Sequence, residues 1–202
     1  MDFLWEKDVS DLPVVLNEFE PPDRDQRYVI KRCENRDCPL VRKFLDQDVF
    51  HDSDFFRYKN KNGKNGKMTV LNKIMTTVEA QKISLICIDS ITKKVVGLNV
   101  LFVSHSTMFD FLKRKGYYKY LREDEFYGNF LTSRCLYVQK DHRKNGIGMR
   151  LIDATKIILD KLHLSRYVSR FNESGYKVAE KCGLKKIRDN RRHSYVLAIE
   201  KN

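Results

Sequence analysis

Long hydrophobic runs are missing from this sequence. The longest apolar stretch, Val95–Val103, is nine residues with Asn99 inside it, far short of the ~20 that a membrane-crossing helix requires. No secretory signal is expected either. The opening Met1-Asp2-Phe3-Leu4-Trp5-Glu6 places an acid where such a signal carries basic residues ahead of an apolar core. Cysteine is scarce and unpatterned: Cys33, Cys38, Cys87, Cys135 and Cys182 are odd in number and never fall into a Cys-x-x-Cys pair. That speaks against zinc or a disulfide framework and for free thiols in a reducing compartment. The expectation is a cytoplasmic chain with no membrane association and no metal.

What is present suffices for a packed core. The 202 residues are 42% hydrophobic and 11% aromatic, which excludes disorder for the bulk of the chain. Residues 1–25 are acidic and carry Pro13, Pro21 and Pro22, so they read as a loosely ordered leader to a single domain over residues 26–202. Lys and Arg number 39 against 27 Asp and Glu, a net charge of +12. Such an excess suits nucleic acid, an anionic surface or a small molecule with several phosphates. The sharpest cluster, Lys59, Lys61, Lys64 and Lys67, is spaced by Asn and Gly and reads as a solvated loop. No aromatic-rich binding motif accompanies it, so nucleic acid is not expected as a partner.

Periodicity supplies the element order. Arg27–Cys33 alternates as a strand, and Asp37 is placed to cap a helix with Leu40, Val41, Phe44, Leu45 and Val49 at helical spacing. A second helix is predicted from Met68 to about Ala80. Ile83–Asp89 and Val95–Val103, separated by a short polar segment, form a β-hairpin. Residues 106–127 read as a helix or ordered insertion. Then follow a strand over Thr132–Val138, an amphipathic helix from Gly146 to about Leu162, a strand over Arg166–Phe171, a helix over Ser174–Cys182 stopped by Gly183, and two last strands over 184–187 and 194–199. This is an α/β chain with a mixed sheet and one βαβ crossover, between Thr132–Val138 and Arg166–Phe171.

The crossover carries the informative segment, Val138-Gln139-Lys140-Asp141-His142-Arg143-Lys144-Asn145-Gly146-Ile147-Gly148-Met149-Arg150. A strand runs through a basic loop straight into a helix. Glycines at 146 and 148 let the backbone approach a ligand with no Cβ between. The helix start offers unpaired N–H groups and the positive end of its dipole, which suits a pyrophosphate. The P-loop pattern fails because Met149-Arg150 follows the second glycine, and the dinucleotide fingerprint fails because Leu151 stands where a third glycine belongs. What remains is R-x-x-G-x-G.

Val138–Gly148 resembles the acetyl-CoA motif of the general N-acetyltransferase superfamily, the GNAT fold. A second segment, Asn172 through Leu184, is similar to that family's strand-end Asn, short helix and Glu-Lys-x-Gly ending. The resemblance covers about residues 28–199 and implies a GNAT-like, mainly antiparallel sheet of about seven strands flanked by helices, with the central crossover holding acetyl-CoA as co-substrate. It places the coenzyme on Leu136, Tyr137, Val138, Arg143, Lys144, Asn145, Gly146, Ile147, Gly148 and Met149, with Asn172 and Lys177 from the second segment. More narrowly, Tyr28–Phe56, Val96-Gly97-Leu98-Asn99 and Arg143–Gly148 resemble the insect arylalkylamine N-acetyltransferases, which implies a small primary amine as the other partner.

In those enzymes an Asp-Glu-Pro triplet follows the first helix and its Glu is the general base. Here the matching stretch is His51-Asp52-Ser53-Asp54-Phe55, so Asp52 and Asp54 are the candidate bases and Glu34 a lesser one. The resemblance also implies a Tyr in the last helix to protonate the leaving thiolate. Ala179 stands there, leaving Ser174 or Tyr176 as substitutes. These departures keep open a catalytically weakened acyl-CoA-binding protein, or an acetyltransferase for another amine or for protein lysine. Cys135 reads as a small buried hydrophobe rather than a nucleophile, and His142 as a solvated loop residue.

Overall fold

The computed structural model describes residues 9–22, 25–52, 64–105, 128–190 and 194–200. Ser53, Asp54, Lys59 and Lys61 of the lysine cluster, and residues 106–127 lie outside them. The described elements are β1 (Val15–Phe19), β2 (Tyr28–Arg32), α1 (Cys38–Phe44), α2 (Lys64–Gln81), β3 (Leu85–Asp89), β4 (Val95–His105), β5 (Asn129–Val138), α3 (Ile147–Lys161), β6 (Arg166–Asn172), α4 (Glu173–Lys181), β7 (Lys185–Asn190) and β8 (Ser194–Glu200).

They form one eight-stranded sheet in the order β1-β2-β3-β4-β5-β6-β8-β7, antiparallel throughout except between β5 and β6. Successive side chains on a strand alternate between faces, and in the middle of this sheet both faces are covered. Leu85 and Cys87 pack with Leu151 and Ile158 of α3 and Ala179 of α4. Ile86, Leu98, Val100 and Cys135 pack with Val41 and Phe44 of α1 and with Leu71, Ile74, Met75 and Val78 of α2. Burial on both faces is why β3 and β4 read as near-continuous apolar runs.

Three local expectations change. Residues 15–19, expected within a loose leader, form the edge strand β1, whose Phe19 joins Leu12 in the core. The strand raises the sheet from about seven strands to eight, and it was hidden because only Phe19 among its side chains is buried. The first helix is not continuous: a 3₁₀ turn at Asn35–Asp37 leads into α1, and a π turn over Leu45–Val49 follows it. Asp37 accepts from the Glu34 backbone N–H at 2.9 Å and pairs with Lys31 at 2.8 Å. Finally, α2 begins at Lys64 rather than Met68, so Lys64 and Lys67 belong to a helix rather than to the expected loop.

The parallel step shapes the centre of the sheet. β5 and β6 pair only over Leu131–Ser133 and Tyr167–Ser169. Across β5 on its other side, Val100 faces Cys135 and Leu101 faces Ser133, which leaves Arg134 as the extra residue of a bulge. Beyond Ser133 the two parallel strands part. Gln139 N–H donates to Val96 O at 2.9 Å, so strand alternation turns the backbone groups of Leu136 and Val138 away from β4 and into the gap.

Candidate functional site

The gap between β5 and β6 opens onto the loop that joins β5 to α3. A 3₁₀ turn over Lys140–His142 starts this loop. Lys144 (φ +68°) and Gly146 (φ +78°) then both take the left-handed conformation, one on each side of Asn145. Left-handed geometry favours glycine at 146 and is unusual for lysine at 144. The two reversals curl the chain into the first turn of α3 and bring successive backbone N–H groups together, the arrangement that cradles anions. A Cβ on Gly148 would lie 3.5 Å from Val178 Cγ1 and 3.9 Å from Val138 Cγ2, ordinary contacts. Packing therefore does not demand glycine at 148, and its small size leaves room for something outside the protein. Ile147, fully buried, fixes α3 on the sheet against Gly97. Met149 is exposed beside it.

Two sets of side chains hold the loop, one from each face of the sheet. From the α1 face, Asp52 is 3% exposed. Its Oδ2 accepts from Arg143 Nη2 at 2.7 Å and from the Tyr137 hydroxyl at 3.1 Å, and Lys140 lies 3.5 Å from Oδ1. Arg143 Nε also donates to Val138 O at 3.0 Å, and its guanidinium sits 5.5 Å from the Tyr137 ring centre. Burial first, and the Asp52 charge second, push the Tyr137 phenol far above its usual range, so it donates to the carboxylate and stays neutral. Gln139 Nε2 donates to Asp48 Oδ1 at 3.1 Å. From the α3 face come Tyr28 and Gln26, which meet His142 and Asn145. His142 is thus half-buried and bonded to a core tyrosine rather than solvated as its sequence context suggested.

The candidate residues separate into groups. Leu136, Tyr137, Val138 and Arg143 through Met149 come together on the strand, loop and helix start. Asp52 joins them through Arg143. Asn172, Ser174 and Lys177 stand on the β6–α4 side of the gap. There Asn172 Oδ1 caps α4, accepting from the Gly175 N–H at 2.9 Å and from the Ser174 hydroxyl at 3.0 Å. Glu34 does not join them: it pairs with Arg36 at 2.6 Å at the end of β2, three strands from β5, or about 14 Å at the usual strand spacing. Asp54 lies outside the described residues. Tyr176 donates to Glu180 at 2.6 Å, Ala179 is fully buried, and the Cys135 thiol is pushed up to about 12 by burial.

Sequence reading missed Tyr28, Gln26 and Asp48, and the reach of Asp52 to Arg143 and Tyr137. No local pattern marks them, because each reaches the loop from about a hundred residues away. Among the described residues no three His, Cys, Asp or Glu side chains gather to hold a metal, and no helix is long and apolar enough to cross a membrane.

No protein-family model matches the sequence, and no curated protein matches it. Solved structures do resemble the fold. A mosquito protein from Aedes aegypti, assigned as arylalkylamine N-acetyltransferase 7, superposes with a TM-score of 0.69 at 13% identity over 97% of this chain and 99% of its own. A Drosophila melanogaster polyamine N-acetyltransferase, an enzyme that forms N-acetylagmatine, gives 0.62 at 10% identity over 86% of this chain and all of its own. YhbS, a GNAT-family N-acetyltransferase from Escherichia coli in complex with CoA, gives 0.55 at 12% identity over 88% and 83%. With its splayed β5–β6 pair and the loop that opens α3, this chain has the fold of the GNAT N-acetyltransferases.

Proposed function

We propose that the protein is an acetyl-CoA-dependent N-acetyltransferase acting on a small primary amine of the arylalkylamine kind. One observation supports this most: the Arg143–Gly148 loop delivers a cluster of backbone amides and the start of α3 to the mouth of the gap beside the unpaired edge of β5. Pyrophosphate would rest on the amides around Gly146 and Gly148, while Leu136 and Val138 would hold the pantetheine arm through backbone groups. A backbone N–H of that edge would polarise the thioester oxygen. The amine nitrogen would attack the acetyl carbon directly, forming C–N as C–S breaks. Its proton would leave through a carboxylate or water, and the departing thiolate would take one up. Lys144 and Lys177 add positive charge on either side for the coenzyme phosphates.

Asp52 suits holding Arg143 better than taking a proton, since two cations and a phenol already face its carboxylate. Asp54 then becomes the leading candidate base, with Ser174 at the mouth of the gap available to relay a proton. One observation favours the second reading, a binder that turns over slowly: Ala179 is buried and featureless where the resemblance implies a tyrosine acid.

Thiol release from acetyl-CoA against tyramine, dopamine, serotonin, tryptamine, agmatine, spermidine and a lysine peptide separates the two. Turnover on an arylalkylamine is expected. Turnover on agmatine, spermidine or the peptide alone would replace the acceptor class. No turnover, with thermal stabilisation by acetyl-CoA intact, would favour the binder.

A further inference from the structure

Tyr28 is fully buried at the start of β2, its ring packed 5.3 Å from Phe19 and edge-on to His142 at 5.8 Å between centres. Its hydroxyl reaches beneath the loop and meets three polar side chains. It donates to Gln26 Oε1 at 2.5 Å, receives Asn145 Nδ2 at 3.0 Å and lies 2.9 Å from His142 Nδ1. Asn145 Nδ2 also lies 3.4 Å from Gln26 Oε1, so the Gln26 oxygen is turned to two donors at once.

A phenol has one proton to give and two lone pairs to offer. The proton goes to Gln26 and one lone pair goes to Asn145. His142 Nδ1 must therefore donate into the second lone pair, which requires a hydrogen on Nδ1. Asn145 stands between the two left-handed residues of the loop, and His142 closes its 3₁₀ turn. One buried hydroxyl thus holds the segment that presents the backbone amides just before it begins, at His142, and in its middle, at Asn145, from 114 residues away in sequence for His142. Asp89 is the cross-strand partner of Tyr28.

We infer that Tyr28 is a positioning residue for the phosphate loop: its hydroxyl holds His142 as the Nδ1–H tautomer and sets Asn145 between the two left-handed turns, which shapes the amide cradle for the coenzyme. This rests on the acetyltransferase reading, and the experiments are chosen to fail separately.

Nitrogen-15 NMR of histidine-labelled full-length protein at pH 8 reports the tautomer, with the His142 signals assigned by their loss in His142→Gln. The expected result is Nδ1–H in the wild type, shifting toward Nε2–H in Tyr28→Phe. Steady-state kinetics on the same variant should show the KM for acetyl-CoA raised about tenfold, the effect of one lost hydrogen bond, with kcat within about twofold. If Tyr28→Phe fails to fold, His142→Ala should raise that KM while His142→Gln, which retains a donor, restores most of it. An Nε2–H His142 in the wild type, or a KM unchanged in both Tyr28→Phe and His142→Ala, would overturn the positioning role. Wild-type protein that binds no acetyl-CoA would instead sink the acetyltransferase reading, and with it the coenzyme half of this inference, whatever tautomer His142 shows.

Discussion

Asp52 shows how much one side chain carries here. Its carboxylate is nearly inaccessible, yet it receives Arg143 and the Tyr137 hydroxyl together. Asp52→Ala leaves that hydroxyl buried beside an unpaired guanidinium. Because the Arg143 and Lys140 side chains are 42% and 57% exposed, water recovers part of the loss, and the expected cost is about 1–3 kcal/mol in urea unfolding. The KM for acetyl-CoA should rise with it, because Arg143 loses its anchor. Cys135 makes the opposite point. It sits on the strand where the thioester would lie, but burial holds its thiol at about 12, so almost none ionises near neutral pH. Cys135→Ala is expected to keep kcat within about threefold, with only a small packing loss. A kcat collapse with stability intact would point to an acyl-cysteine intermediate.

Helix α3 and the sheet meet where Gly97 lets them. A Cβ there would lie 3.0 Å from Ile147 Cγ2, 3.2 Å from Cys87 Cβ and 3.3 Å from Leu151 Cδ1, so Gly97→Ala must push the start of α3 off β4. The expected outcome is about 1–3 kcal/mol lost in denaturant unfolding, together with weaker acetyl-CoA binding, since Ile147 opens the helix that presents the loop. Elements of this kind were legible beforehand. The stripe Ile147, Leu151, Ala154, Ile158 and Leu162 is local, and all five residues are buried. So were the β3–β4 hairpin and the crossover, whose periodicities are unambiguous. Strand β1 was not, because an edge strand with one buried side chain has no pattern to read. Nor was the clasp of Asp52 on Arg143, or Tyr28 on His142. Such pairs join residues whose proximity exists only after the sheet has formed, and a single sequence records none of it.

The whole molecule carries its five cysteines as free thiols, and burial raises Cys87 and Cys135 to about 12 and Cys182 to about 11. Because the folded values are raised, the stability they contribute is fully present below the unfolded value of about 8.5 and is lost as pH climbs toward the folded values, by up to about 1.4 kcal/mol per thiol per pH unit. The Tm should therefore fall steadily between about pH 9 and 11, and a Cys87→Ala, Cys135→Ala double variant should flatten that fall. A flat wild-type profile would contradict the burial of these thiols. The proposed function turns on the loop that opens α3, and Gly148 isolates it from the fold, since a methyl there meets only ordinary contacts inside the protein. Alanine in place of glycine in a helical turn should hold or slightly raise the Tm. Calorimetric titration of acetyl-CoA into wild type and Gly148→Ala is the deciding measurement. Saturable binding by the wild type, weakened at least about tenfold in the variant at equal or higher Tm, is expected if the coenzyme lies on these amides. Equal affinity in both proteins, or no binding by either, would contradict it.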